Sequence, residues 1–408
     1  MLAIFVDNHV LGGVDRFLNN LINGLDSQSI SLVVITNDQN PSIAWINEKV
    51  GEDFTLITFS DYLITPRKLG YKIKIKWLTS TQIFLNRLFA FYYDNFNQNR
   101  KVKKFVSLVN LVETESLLLI NGGYPGSVAS LAFARCWKTR NPSCTVVMNV
   151  HNLVMRTNLL EGYFSRRIDS FYLPFVDRVV TVSQTCLNSI QERISKFPKI
   201  QSHVVFNRIA VVSKNSDGSA EMILSLIGEG RKVCLWAANY EPRKGHCFLI
   251  EMVRYLSALD PSVLLVFVGD DPDGYQQEVK SEVWLKKMDN FVLVGDYVSD
   301  VQSLLERSSV VTIGSQSHES FCYSMVEAFQ QEVPVVATDV GAIPEIAQYG
   351  ACAKLCPADD PEKFARLVFR LLSDPISANE QKVRARDRAQ ELSDITKMSF
   401  EYLNCIWG

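Results

Sequence analysis

The tightest restriction on this chain's fold comes from short runs of Val, Ile and Leu that recur with helix-length segments between them. In the first half they are LAIFVD (2–7), SLVVIT (31–36), FTLITF (54–59), SLLLIN (116–121), TVVMNV (145–150) and RVVTVS (178–183). In the second half they are KVCLWAA (232–238), VLLVFVG (263–269), NFVLVG (290–295), VVTIGS (310–315) and PVVATD (334–339). Runs that are apolar throughout, without alternation, suit parallel strands covered on both faces. Their alternation with helices predicts doubly wound α/β sheets. A chain of 408 residues exceeds one ordinary domain, so two are expected. The polar stretch SKNSDGSAE (213–221), with its Ser-Asp-Gly turn signal, separates the two sets of runs. The predicted units are therefore 1–212 and 213–392, followed by a closing helix over 393–408 that is expected to return to the first domain.

With 47% hydrophobic and 21% charged residues the chain can bury a large core, which argues against wholesale disorder. A net charge of −2 excludes a globally basic nucleic-acid binder, and no nucleic-acid partner is expected. Nine cysteines without paired spacing fit a reducing compartment, and Cys352 with Cys356 lacks the second half of a zinc site. The apolar start Leu2 to Val6 is cut short by Asp7 and reads as a strand, not a signal peptide. No run reaches the ~18 apolar residues of a membrane span, so a cytoplasmic protein is expected, soluble or lying on the inner face of a membrane. Residues 66–104 differ in character: ten lysines and arginines face a single acid, Asp94, and surround the aromatic stretch FLNRLFAFYYDNF (84–96). That composition suits a helix on an anionic membrane surface; a helix packed on the sheet with solvated basic flanks is the alternative.

The stretch richest in chemistry is HESFCYSMVEAFQQEVPVVATDVGAIPEIA (318–347). Glu319 and Glu327 stand eight residues apart where a strand gives way to a helix. In an open parallel sheet, ligands bind at the carboxyl ends of strands, and a helix start there offers free N–H groups to a diphosphate. Spacing alone leaves a plain alternative, because Ser324 and Glu327 also form a capping box. A double-displacement hydrolase fits poorly: eight helical residues would separate the carboxylates by about 12 Å, and retaining hydrolases need roughly 5–5.5 Å. Arg243 and Lys244 after Pro242 read equally as an exposed basic turn. Gly12 and Gly13, between a strand and a helix, suit either a tight turn or close approach of a phosphate or acceptor. NGGYPGS (121–127), with Gly123 and Tyr124, is a second glycine-rich loop suited to the acceptor side.

Taken together, these stretches resemble the retaining GT-B glycosyltransferases of family four, which include sucrose synthases and many bacterial polysaccharide and lipid-sugar transferases. The 318–347 stretch resembles that family's E-x7-E signature. GGVDRFLNNL (12–21), VVMNVHNL (146–153), VDRVVTVSQTCLNSI (176–190), VVFNRI (204–209) and WAANYEPRKGHCFLIE (236–251) resemble its other motifs in order. The resemblance implies two Rossmann-like domains facing across a cleft, with the nucleotide-sugar on the second. It implies that Glu319 bonds donor-sugar hydroxyls and that the backbone of Phe321, Cys322 and Tyr323 approaches the sugar and diphosphate. Glu327 would take the ribose, and Lys244 with Arg243 would neutralise the leaving diphosphate. The loop at Tyr297 and Val298 would meet the base, and His151 and Gly13 would lie near the donor sugar. Three departures stand out. Asn239 replaces the usual arginine before the donor loop, Cys322 replaces a usual glycine whose site could demand positive φ, and Arg208 stands where Asn-Gly is common.

The implied reaction moves a sugar from a UDP- or GDP-sugar to a glycan acceptor, expected to be lipid-linked, in cell-surface polysaccharide or lipopolysaccharide assembly. It proceeds with retention and without a metal or other cofactor, since no Asp-x-Asp pair follows a strand where a metal would need it. Rival readings are a nucleotide-sugar epimerase or phosphorylase on the same architecture, and a nicotinamide-dependent enzyme, although G-x-G-x-x-G is absent. An inactive scaffold binding membranes or partner transferases is the non-enzymatic alternative.

Overall fold

The computed structural model describes residues 1–9, 12–59, 102–103, 106, 114–124, 128–154, 159–211 and 218–408. Apart from 102–103, the basic and aromatic stretch 66–104 lies outside the described residues. Among the described residues no helix is long and apolar enough to cross a membrane.

The chain forms two compact units, Met1–Phe206 with Ile395–Gly408, and Asn207–Asp394. The first holds a seven-stranded sheet of β1 (Leu2–Val6), β2 (Leu32–Asn37), β3 (Phe54–Phe59), β4 (Ser116–Asn121), β5 (Thr145–Val150), β6 (Arg178–Thr181) and β7 (Gln201–Val204), in the order β3-β2-β1-β4-β5-β6-β7. Every pairing in it is parallel. The second holds β8 (Lys232–Ala237), β9 (Val263–Val268), β10 (Val292–Val294), β11 (Val310–Ile313), β12 (Val335–Thr338) and β13 (Lys354–Cys356), in the order β10-β9-β8-β11-β12-β13, again all parallel. The apolar runs become strands because both faces are covered: β1, β2, β4 and β9 are buried at every position. Two edge strands escape the apolar-run criterion. β7 is the polar QSHV with no fully buried residue, and β13 has only three residues.

The division between units falls a few residues before the polar stretch that suggested residue 212. Ile209 N–H donates to Leu392 O (2.9 Å), and Arg208 Nε donates to Glu391 O (3.2 Å). Gln330 Nε2 reaches both Ile209 O (3.2 Å) and Ser393 Oγ (2.8 Å). These bonds tie both ends of the second unit to one another, so Asn207 onward belongs to it, and it extends to Asp394 instead of 392.

The final helix, Ile395–Trp407, completes the first unit. Met398, Tyr402, Leu403 and Ile406 join the core with Phe17, Leu18, Leu21 and Ile22 of the helix Gly13–Asp26. The heptad-like spacing of apolar residues on both helices supplies the two faces. A polar contact fixes the register: Asn149 Nδ2, fully buried in β5, donates to the Tyr402 hydroxyl at 2.6 Å. Tyr402→Phe therefore strands a buried amide, and urea unfolding of the variant is expected to show a loss of about 1–3 kcal/mol. An unchanged midpoint would mean that the contact does not hold the helix.

Candidate functional site

In the second sheet the chain runs from β8 outward through β9 and β10, then returns to β11 on the other side of β8. The carboxyl ends of β8 and β11 are thus neighbours at a switch point, where open α/β sheets bind ligands. The loop after β8 carries Asn239, Arg243 and Lys244, and the loop after β11 carries Glu319.

The two loops meet through charge. Lys244 Nζ lies 2.8 Å from Glu319 Oε2, Ser315 Oγ donates to the same oxygen at 3.1 Å, and an Arg243 terminal nitrogen is 3.8 Å away. Among the described residues every hydrogen bond and ion pair of the Glu319 side chain falls on Oε2. Burial pushes this carboxyl up, but Lys244 and Arg243, with hydrogen bonds from Lys244 and Ser315, outweigh it and hold it below the ordinary glutamate value. Glu319 is therefore a charged carboxylate although only 8% exposed.

Backbone packing sets these positions. Gly245 sits at φ 72 directly after Lys244, and a Cβ there would lie 1.9 Å from Gly314 O. Gln316 N–H donates to Arg243 O at 2.8 Å, joining the loops. Behind Glu319, Ala342 N–H donates to its carbonyl at 2.7 Å, and a Cβ on Gly341 would come 2.2 Å from that carbonyl. Only glycine permits both approaches.

The helix Tyr323–Gln330 begins at Cys322, which has φ 73 and gives no side-chain cap. Cys322 does take the left-handed conformation that suits glycine, and burial foremost pushes its thiol up to about 12. The Ser324–Glu327 capping box does not form: the N-cap is Cys322, two residues earlier, and Ser324 Oγ donates to Ala237 O at the end of β8 (2.7 Å). Because Glu319 precedes the helix, the all-helical spacing estimated for the two glutamates does not apply. Glu327 is buried on the helix, and Phe321 and Tyr323 pack edge to face at 5.1 Å. Asn239 is half-buried.

The loop after β10 is fastened to the same region. Gly295 O accepts from the Tyr240 hydroxyl (2.6 Å) and from Gln276 Nε2 (3.0 Å), which also reaches Asp296 Oδ1 (2.9 Å). Val298 is buried there, whereas Tyr297 is 53% exposed and presents an open aromatic face. Sequence reasoning missed Ser315, Tyr240, Gln276, Glu241 and His318. The first three carry no local signal, since their roles arise from loop packing. His318 is half-buried beside Glu319, and burial foremost, then Arg243, pushes its imidazole down.

The first unit repeats the pattern at its own switch point, between β1 and β4. Cβ atoms on Gly122 and Gly123 would meet Val14 at 3.8 Å and Asn152 at 3.8 Å, so the loops holding Gly12, Gly13, Gly123 and His151 cluster. The Gly12 amide is already committed to Asp15 Oδ2 at 2.8 Å, so it is not open to a ligand phosphate, while Gly13 is exposed. Tyr124 does not present its hydroxyl to an acceptor: it is buried and donates to Asp169 Oδ1 (2.8 Å), which Arg193 also holds (3.0 Å). His151 is buried with its ring 4.4 Å from that of Phe17, and its Nε2 has no hydrogen-bond partner among the described residues. Among the described residues no group of three or more His, Cys, Asp or Glu side chains is placed to hold a metal ion.

Burial pushes the His151 imidazole down to about 3 from 6.5, so it is neutral at pH 7. The unfolded chain takes up a proton near pH 6.5 that the folded one refuses. This contribution to stability is thus complete above pH 6.5 and declines as pH falls toward 3, by about 1.4 kcal/mol per pH unit. In urea unfolding from pH 7 to 4.5, His151→Phe is expected to lose stability less steeply than the wild-type protein, and parallel curves would show a solvated ring.

Residues 217–390 match the family described as glycosyl transferases group 1. The chain is 27% identical to N-acetyl-alpha-D-glucosaminyl L-malate synthase of Bacillus anthracis over 55% of its own length and 58% of that protein. It is 23% identical to human alpha-1,3/1,6-mannosyltransferase ALG2 over 59% of its own length and 61% of that protein. The chain thus spans about three fifths of these curated relatives. In fold it is similar to a glycosyltransferase from Rickettsia africae (TM-score 0.71, 15% identity, covering 99% and 96% of the two chains). It is also similar to Anabaena HepE crystallised with UDP and glucose (TM-score 0.70, 14% identity, 99% and 98%). The match to the group 1 glycosyl transferases thus lies within the second unit, and the two parallel-sheet α/β units give the chain the GT-B fold of these solved structures.

Proposed function

We propose that the chain is a retaining glycosyltransferase that takes a sugar from a nucleoside-diphosphate donor bound on its second unit and passes it to a glycan acceptor. The observation that carries this reading is the charged, buried Glu319 held through one carboxylate oxygen by Lys244 and Ser315, with Arg243 3.8 Å from it. Two cations beside a helix start suit a diphosphate, and the second carboxylate oxygen suits a sugar hydroxyl. Tyr297 gives a face for the nucleobase and Glu327 an acceptor for ribose hydroxyls. UDP is the first base to test, because HepE, which shares this fold, is crystallised with UDP and with UDP-glucose.

In the proposed reaction the glycosidic bond to the diphosphate breaks and the acceptor oxygen attacks from the side that the nucleotide leaves. The departing phosphate takes the acceptor proton. Lys244 and Arg243 stabilise the charge that develops on the diphosphate, a contribution of several kcal/mol where water is sparse. Positioning and electrostatics suffice for such a step, so no metal is invoked. On the first unit, His151 is neutral and offers a hydrogen bond to a sugar rather than a charge. The acceptor is proposed to be lipid-linked, at a membrane surface engaged by residues 66–104, with the protein on its cytoplasmic side.

Melting temperatures recorded with UDP, GDP, ADP and NAD in turn test the donor. A nucleotide at a hundred times its dissociation constant stabilises by about 2.7 kcal/mol, so one nucleoside diphosphate is expected to raise the midpoint clearly. A response only to NAD would overturn the reading, and silence toward all four would favour the inactive scaffold. Glu319→Gln keeps the size and hydrogen-bonding shape of the side chain, and is expected to lower turnover at least about a hundredfold with the fold retained. Wild-type turnover in that variant would remove Glu319 from the site. Liposomes containing anionic lipid are expected to retain the protein, and to lose it when Lys72, Lys74, Lys76, Lys101, Lys103 and Lys104 are replaced by glutamine.

A further inference from the structure

We infer that Glu241 is a positioning residue of the diphosphate site: it holds Arg243 as a second phosphate cation and keeps its guanidinium from collapsing onto Glu319. The inference rests on the donor reading above and assigns a role to a residue that neither the E-x7-E stretch nor the basic pair contains.

Arg243 stands between two carboxylates and is bonded to one of them. Its Nε donates to Glu241 Oε2 at 2.6 Å, whereas its terminal nitrogen is 3.8 Å from Glu319 Oε2, beyond hydrogen-bond length. The shorter partner of Glu319 is Lys244, at 2.8 Å, so the single negative charge there is already met. A guanidinium carries five N–H donors in a fixed plane. Binding at Nε uses one and fixes the plane, and leaves the terminal nitrogens to serve a bidentate anion such as a phosphate. Without Glu241, nothing on this loop would stop Arg243 from closing the remaining distance and doubling the neutralisation of Glu319.

The backbone keeps Glu241 and Arg243 in this relation. They flank Pro242, whose fixed φ starts a single 3-10 turn over Pro242–Lys244. Lys244 N–H donates to Glu241 O (2.9 Å), Gly245 N–H to Pro242 O (3.2 Å), and Arg243 O is held by Gln316 N–H (2.8 Å). The carboxylate and the guanidinium thus project from a turn clamped at both ends. Asn239, on the same loop, brings no charge, so Arg243 and Lys244 are the cations that this loop supplies. With only two, the orientation of each matters.

The test is a double-mutant cycle read by isothermal titration calorimetry. The probe is whichever of UDP, GDP and ADP raises the melting temperature, titrated into wild-type protein, Glu241→Ala, Glu241→Gln, Arg243→Ala and Glu241→Ala/Arg243→Ala. Glu241→Ala is expected to weaken the nucleoside diphosphate about tenfold, the scale of one charge-assisted hydrogen bond. In the Arg243→Ala background the same change is expected to have no further effect. Glu241→Gln, whose amide oxygen still accepts from Nε, should bind within about threefold of wild type. If Glu241→Ala fails to fold, Glu241→Met, which fills the space without accepting from Nε, replaces it, with the same loss of about tenfold expected. Equal losses in both backgrounds would make Glu241 merely structural. Tighter binding by Glu241→Ala would show that it only repels the ligand. Either result overturns the assignment while leaving the donor reading intact, whereas a wild-type protein that binds none of the three diphosphates overturns both.

Discussion

Burying a carboxylate costs several kcal/mol unless cations and hydrogen bonds are brought to it, and Glu319 obtains these from both loops at the β8–β11 switch point. The pair with Lys244 spans the two loops, so it forms only if their backbones come closer than ordinary side chains allow. Gly245 against Gly314 and Gly341 against the Glu319 backbone provide that closeness. The charge arrangement and the glycine arrangement are one constraint seen from two sides. A loop held back by a Cβ would leave a buried charge without its cation, and an unpaired buried charge would push the loops apart.

Much of this architecture is legible because parallel sheets announce themselves. Strands covered on both faces must be apolar at every position, so β1, β2, β4 and β9 stand out from their neighbours. The same rule explains what escapes notice. β7 is an edge strand with one open side and a polar sequence, and β13 is too short to form a run. The division between units is harder, because a polar stretch marks where chain is exposed, not where contacts change sides. Arg208, Ile209 and Gln330 show the difference: their bonds to 391–393 attach the connecting chain to the second unit before the polar stretch begins.

The site was legible only in part from local chemistry. Spacing could not separate a capping role for Glu327 from a ligand-gripping one, since Ser324 stands three residues before it in either case. The structure excludes the capping box by giving the Ser324 hydroxyl to Ala237 O, at the end of β8. Long-range partners of this kind have no sequence period. Tyr124 makes the opposite point. A tyrosine in a glycine-rich loop suggests an exposed hydroxyl, yet Asp169, far along the chain, draws it into the core. Glu241 lies in plain view two residues before Arg243, but its use of Nε and not the terminal nitrogens is a matter of geometry alone.

Helix starts in the second unit differ in how their first amides are met, and several besides those at the proposed site lack a side-chain cap. Helices Val301–Arg307, Pro361–Ser373 and Pro375–Glu391 begin with Asp300, Asp360 and Asp374, whose carboxylates accept from the first free amides. The two helices that open from the β8 and β11 loops, His246–Leu259 and Tyr323–Gln330, begin with left-handed residues and no side-chain cap. An aspartate there would stabilise the helix by about 1 kcal/mol, but it would set a negative charge where the proposed diphosphate must lie. At Gly245 the left-handed turn comes without strain; at Cys322 a Cβ makes it cost about 1–2 kcal/mol. That cost falls on a residue buried against Glu319, Lys244 and Glu327 in the same electrostatic field. The left-handed, uncapped start at Cys322 keeps an acidic cap away from the proposed diphosphate, and in that reading the conformation of Cys322 serves the site as the charges of Lys244 and Arg243 do.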